Sequence, residues 1–248
     1  MNAIYILWLR QLKRYLRSRS RVAASLGQPL LYLLALGYGL SPVFQRAGMG
    51  NYIQFIAPGV IGMTVMFTSV FSGIELIWDR QFGFLKETLV APVPRTIIMA
   101  GRTLGGATTA ILQGVIVILI CLAIGFRPTS PATLLIALVY MILIALLFTA
   151  FGTAVASLLS DFQGFQLVMN FLVIPMYFLS SAIFPLYGVP RALKVLATID
   201  PLTYGIDGLR GAMTGSHFFH PATDLAVLTG CAVLLLFIGS WLFSRIQL

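Results

Sequence analysis

Residues 75–102 read ELIWDRQFGFLKETLVAPVPRTIIMAGR, and this stretch decides how the chain folds. It carries seven of the chain's 23 charged side chains and lies between two long apolar runs. Its middle predicts one short amphipathic helix. Asp79 is placed to cap its start by accepting from the orphan amides of the first turn. Phe82, Leu85 and Leu89 recur at i, i+3 and i+7 as one apolar stripe. Pro92 and Pro94 end it, because proline lacks the amide and clashes with the preceding turn. A short charged helix between two membrane spans has two readings, an ordinary interfacial loop or a docking element for a soluble partner. Composition leaves both open.

The surrounding chain fixes the class. Of 248 residues, 59% are hydrophobic and 9% charged, with a mean hydropathy of +0.96. That composition predicts an all-α polytopic membrane protein, since a soluble domain would expose large apolar patches. The formal charge of +9 does not point to nucleic acid, because the cations sit in the gaps between apolar runs, as topology signals do. Cys121 and Cys231 lie inside apolar runs and read as packing residues without a disulfide framework. No small-residue cleavage site closely follows the first apolar run, so a cleaved signal peptide is not expected.

Residues 1–21 are too charged to span a membrane. Ile4, Leu7, Trp8, Leu12, Tyr15 and Leu16 follow helical spacing, and Arg10, Lys13, Arg14, Arg17 and Arg21 fall opposite them. This predicts a basic amphipathic helix in the membrane interface, its cations at anionic headgroups. A spanning helix needs about 20 apolar residues. Six segments qualify, 22–41, 53–77, 103–125, 132–159, 164–186 and 222–244. With the N-terminus inside, the cytoplasmic segments hold 11 Lys/Arg and the outer gaps five. The positive-inside rule therefore places both termini, and the 78–102 gap, in the cytoplasm.

Within the spans, Pro29, Pro58 and Pro175 are kink candidates, with Pro92 and Pro94 as hinges beyond the second. Glu75 and Asp224 fall inside these limits, Asp224 at the very start of the last span; Glu75 is either buried and functional or merely interfacial. Gln113, Gln166 and Asn170 are candidates for the bundle interior or a subunit contact, and Gln113 and Asn170 with Tyr177 and Phe178 for a conduit or dimer contact, although aromatics such as Phe171, Tyr177, Phe178 and Phe184 more often face lipid or fill the core. The outer gap 187–221 is the longest. Asp200-Pro201 predicts a cap followed by a first helical position, and Leu202, Ile206, Leu209 and Met213 continue the helical spacing. Short helices dipping partly back into the membrane are expected there. His217 and His220 have no close Cys or Glu, and no metal site is assigned.

Catalytic chemistry is hard to place on this chain. None of Lys13, Lys86 and Lys194 lies in a phosphate-cradling glycine loop, so no nucleotide site is read. Both histidines fall outside the spans, and Tyr204-Gly205-Ile206-Asp207 is not an intramembrane aspartyl-protease pattern. Membrane-centred charges that would couple an ion gradient are also lacking, apart from Glu75.

The run Asp79 to Glu87, DRQFGFLKE, followed by Leu89-Val90-Ala91-Pro92-Val93-Pro94-Arg95, resembles the signature region of ABC-2-type export permeases, most closely their daunorubicin-resistance-like subgroup. YIQFIAPGVI at 52–61 and DPLTYGIDGLRGAMTG at 200–215 are similar to two further stretches of that family. The resemblance implies an all-α permease domain over residues 22–248, with six transmembrane helices behind an N-terminal interface helix (1–21). It also implies a coupling helix over about 80–91, where Arg80, Phe82, Gly83, Phe84, Leu85, Lys86, Glu87 and Leu89 would dock a separate ATP-binding subunit. Phe82, Phe84 and Leu85 would anchor that contact. The outer segment, with Asp200, Pro201, Tyr204 and Arg210, would be re-entrant. By the same resemblance the chain binds no cofactor itself. ATP and Mg would be held by two copies of the partner, below a homodimer of permeases in the cell membrane. The expected activity is export of a hydrophobic or amphipathic compound, drug-like or lipid. A glycan or glycolipid exporter of the same superfamily, or less readily an ion-gradient-driven carrier, is the alternative. Gln81 stands where that family often has an acid.

Overall fold

The computed structural model describes residues 2–48, 50–90, 92–159 and 161–245, with the side chains of Asn2, Arg19, Arg21 and Leu89 set aside. Helix α1 (Asn2–Arg17) breaks from α2 (Arg19–Leu31) at Ser18, whose backbone leaves the helical region. A π-helical turn (Tyr32–Tyr38) leads into α3 (Gly39–Arg46). Then come α4 (Tyr52–Phe71), α5 (Ile74–Gln81), the short α6 (Phe84–Val90), α7 (Arg95–Ile124) and α8 (Thr133–Leu158). Helix α9 (Phe162–Val168), a second π-helical turn (Met169–Val173) and α10 (Ile174–Leu179) run end to end. Helices α11 (Arg191–Ile199), α12 (Pro201–Thr214) and α13 (Pro221–Ser244) complete the chain. No strand occurs among the described residues.

Among the described residues, six stretches are long and apolar enough to cross a bilayer: Val22–Arg46, Tyr52–Gln81, Arg95–Ile124, Thr133–Leu158, Phe162–Leu179 and Pro221–Ser244. Hydrogen bonds between distant loops show that they alternate in direction. At one end Arg80 donates to the Leu159 carbonyl (3.1 Å) and Arg95 to that of Ser244 (2.6 Å). At the other end Tyr38 donates to the Ile124 carbonyl (3.2 Å), Tyr52 to that of Ile183 (2.6 Å) and Thr129 to that of Met213 (2.9 Å). The first end is called the charged end below.

The structure bears on three sequence readings. The third span begins at Arg95, directly after Pro94, rather than at 103, so Arg102 lies two turns inside a helix. Proline fits the first position of a helix or the residue before it, and once started nothing in 95–102 stops the run. Pro58 lies within an unbroken α4. The irregularity in the first span falls after Pro29, at the π turn, and answers to Pro42: its ring presses on the carbonyl four residues back, Tyr38, which is in that turn. Pro175 likewise presses on Phe171, inside the second π turn.

Helix α8 is central, with α4, α7, α12 and α13 packed around it. Helices α4 and α8 come within backbone contact near Gly73 and Gly152, where a Cβ on Gly73 would collide with the Gly152 carbonyl and one on Gly152 with that of Val70. Small residues permit this approach, and dispersion between close backbones is a main source of helix association in lipid. The first and fifth spans lie at the periphery, and Phe171 on the fifth is 80% exposed.

Candidate functional site: the charged end of the bundle

The predicted helix of the 75–102 stretch is two helices. Gly83 adopts φ +80°, a left-handed conformation that ends α5 and lets α6 start at Phe84. Arg80, Phe82 and Gly83 therefore precede the short helix instead of lying in it.

Asp79 is not its cap. It sits within α5, 3% exposed, and its Oδ2 accepts from Arg102 Nη2 of α7 (2.5 Å) and from Arg10 Nη2 of α1 (2.7 Å). A carboxylate withdrawn from water needs such cations, and these two reach it because α5, α7 and α1 converge at this end. One turn earlier on α5, Glu75 Oε2 faces Arg14 Nη1 (3.3 Å) and accepts from Gln11 Nε2 (3.4 Å). Glu75 is thus largely buried and paired.

Helix α1 is consequently more than a headgroup anchor. It runs alongside α7 in the same direction. Ile4 and Leu7 lie on Gly101 and Gln11 on Gly105, while Trp8 Nε1 donates to Thr108 Oγ1 (2.9 Å) and Tyr15 to Gln113 Oε1. Ile4, Leu7, Trp8 and Tyr15, read as a membrane-facing stripe, are turned toward α7, while Tyr5, Ile6 and Leu16 face outward. Two of the cations assigned to headgroups, Arg10 and Arg14, are engaged with acids. Lys13 and Arg17 are exposed, and Arg21 lies outside the described side chains.

At the tip, Phe82 is 73% exposed, Phe84 53% and Val90 81%, beside exposed Lys86 and Glu87. Leu85 is fully buried and holds α6 to the bundle, so it cannot anchor an external partner as expected. Leu89 lies outside the described side chains, as does residue 91. Arg80, expected among the docking residues, donates to the Leu159 carbonyl and ties α5 to the end of α8. Pro92 and Pro94 form the exposed turn between α6 and α7.

The conduit candidates do not converge. Gln113 is buried against Tyr15. Asn170 is exposed and accepts from Gln166 (3.3 Å). Tyr177 is buried edge-on to Tyr32, Phe67 and Phe178, while Phe178 itself is 46% exposed.

At the opposite end, the candidates of the 187–221 segment hold α12 in place. Asp200 caps it, accepting from the Leu202 amide (2.9 Å), with Pro201 first in the helix. Leu202, Ile206, Leu209 and Met213 are all buried. Tyr204 donates to the Thr198 carbonyl (2.8 Å), closing α11 onto α12. Arg210 donates to Ser181 Oγ (3.2 Å) and its carbonyl (2.5 Å) and stacks on Phe55, 4.1 Å from the ring centre. Burial lowers the Arg210 guanidinium to about 10, with Asp207, Tyr52 and Tyr187 acting against that fall, so it stays cationic at neutral pH. Asp207, passed over in the sequence, accepts from the amides of Phe218 (2.9 Å) and Phe219 (2.8 Å) and fixes the loop before α13.

The charged end therefore presents a small apolar and charged tip on a rigid, ion-paired base. Comparison with known proteins places the chain in a family. A profile of the ABC-2 type transporter family matches residues 2–214. The chain belongs to that family. It is 29% identical over 226 residues to Nodulation protein J of Rhizobium meliloti (strain 1021), covering 90% of this chain and 86% of that one. It is 31% identical over 201 residues to the putative transport permease ycf38 of Porphyra purpurea, covering 78% and 68%. Nodulation protein J of Rhizobium leguminosarum bv. trifolii is 29% identical over 223 residues, covering 89% and 83%. The protein is a multi-pass membrane protein of a transport-permease family, and membership implies an ATP-binding subunit as partner.

Proposed function

We propose that this chain is the membrane subunit of an ATP-driven exporter that moves a hydrophobic or amphipathic compound, drug-like or lipid, out of the cytoplasm or its facing leaflet. A separate ATP-binding subunit docks on the charged end. Two permeases pair in the cell membrane over two such subunits, with both termini in the cytoplasm, as the distribution of Lys and Arg favours. The re-entrant role of α11 and α12 belongs to the same reading.

The observation that carries it is the tip. Phe82 and Phe84 are large apolar side chains exposed on a segment flanked by Lys86 and Glu87, and the segment is braced from behind by Leu85, by Arg80 on Leu159 and by Asp79 between Arg10 and Arg102. Exposed aromatic anchors with a charged rim are the make-up of a binding hot spot. A rigid base means that displacement of the tip tilts α5 and α7 together and drags α1 with them. The free energy for that shift must come from differential contact with the ATP-bound and ATP-free partner.

The test is a pull-down in mild detergent from the native membrane through a C-terminal tag, followed by an ATPase assay. Co-purification of an ATP-binding subunit, lost in Phe82→Asp/Phe84→Asp while the variant still inserts, is the expected result. A permease that transports under a pH or sodium gradient with no ATPase attached would overturn it.

A further inference from the structure

A cavity of about 300 Å³ opens inside the protomer between the α1–α2 elbow, α4, the start of α5 and α7. That is the lower end of the range for small-molecule sites. Its walls have two characters. Pro29, Met63, Phe67 and Phe71 are apolar. Much of the rest is polar: Gln11 and Gln28 bring amides that both donate and accept, while four hydroxyls share one sense. Ser25 Oγ donates to the Val22 carbonyl (2.8 Å), Thr64 Oγ1 to that of Val60 (2.8 Å), Ser72 Oγ to that of Ser69 (2.6 Å) and Thr109 Oγ1 to that of Gly106 (2.8 Å). Each hydroxyl spends its only proton on its own helix and keeps lone pairs for any other neighbour. The one carboxylate in the wall, Glu75, adds further acceptor capacity, but its charge is already met by Arg14 at 3.3 Å and by Gln11.

We infer that this cavity binds the polar head of an uncharged amphiphile that supplies hydrogen-bond donors, hydroxyl or amide groups, with its apolar portion against Phe67 and Phe71. Hydroxyls with spare lone pairs and a carboxylate are complementary to O–H and N–H groups, and the Gln28 amide can pair with either atom of such a group. An anion would meet lone pairs and a carboxylate. A cation would have to displace Arg14 from Glu75. Because the site adjoins the Glu75 and Gln11 pairing and the Tyr15 contact of α1 with α7, its occupancy bears on the same convergence of helices that braces the tip. As the site where the transported compound first engages, it rests on the exporter reading above; as a binding site it stands on the cavity alone.

The test uses the permease in nanodiscs, with and without its ATP-binding subunit. The probes are an alkyl glucoside carrying a diazirine at the head, and its trimethylammonium and sulfate counterparts with the same chain. Photolabelling by the glucoside is expected to saturate and to map to the segments around Ala24, Phe67 and Thr109. Ala24 is exposed at the mouth, so Ala24→Trp fills the cavity without disturbing the core and should abolish the label. Thr64→Val/Thr109→Val keeps shape and removes two acceptors, which should weaken half-saturation roughly ten- to thirty-fold. Labelling that ignores Ala24→Trp, that never saturates, or that is stronger for the cationic or anionic probe overturns the proposal. Loss of ATPase co-purification with labelling intact would count against the exporter reading and leave the site standing.

Discussion

Replacing Asp79 by Asn tests the brace beneath the tip. The Asp79 side chain is 4% exposed and that of Arg102 6%, so both partners of the 2.5 Å pair are out of bulk solvent. Arg10, 38% exposed, can turn to water when the carboxylate is lost; Arg102 cannot. Asn leaves Arg102 as a buried cation without the carboxylate it is bonded to, and breaking a buried pair from one side costs about 3–5 kcal/mol. That is a large share of the roughly 5–15 kcal/mol that holds a typical domain together. Asp79→Asn should therefore lower the apparent melting temperature of the detergent-solubilised permease by many degrees, measured as the loss of the monodisperse peak after heating. Asp79→Asn/Arg102→Met removes the stranded charge and should regain most of that loss, because a pair replaced as a unit by apolar groups is close to neutral. The double variant should still transport poorly, since α5 and α7 are no longer tied together. A single variant as stable as the parent, or a double variant no more stable than the single, would refute the assignment of this pair as the brace.

Three further outcomes follow from particular contacts. Gly152→Ala places a methyl against the Val70 carbonyl and should cost about 1–3 kcal/mol by overpacking, read as a lower melting temperature, whereas Gly230→Ala, with open space around it, should be silent. Arg210→Lys keeps the charge but loses the planar stack on Phe55 and the fork to Ser181, so it should destabilise the α12 end, seen as faster proteolysis of the 181–220 region. Burial pushes the Asp200 carboxyl up to about 7, against the Leu202 amide, which lowers it. The folded protein then holds a proton that the unfolded chain has released between its ordinary value near 3.8 and about 7, so stability falls as pH rises through that window and is flat above it. Asp200→Asn keeps the cap and should abolish that slope in melting temperature against pH.

The spans were legible because length and apolar character determine them almost by themselves, and the Asp200-Pro201 start because a cap and a first-position proline are local signals. What was not legible lies between segments. Asp79 carries the local signature of a cap, and nothing near it in sequence says that Arg10 and Arg102 will reach it. Gly83 falls inside the expected 80–91 helix, although a glycine in a short helix is a reason to expect a break. Leu85 fits that stripe as well as Phe82 does, and only tertiary packing buries one and exposes the other. One signal was available for the α1 contact: Gly101 and Gly105, four residues apart around Arg102, mark a face where another helix comes close. Asp207 gave none, because its partners are backbone amides of a loop 11 and 12 residues away.

The central claim is that the exposed tip, and not its buried neighbour, meets the ATP-binding subunit. With Cys121 and Cys231 replaced by Ala, single cysteines at 82, 84, 85, 87 and 90 would be treated with a short bifunctional cross-linker in native membranes. Adducts to the ATP-binding subunit from 82, 84, 87 and 90, with none from 85, are what the account predicts. Adducts from 85 alone, or from none of the five while the subunit remains bound, would contradict it.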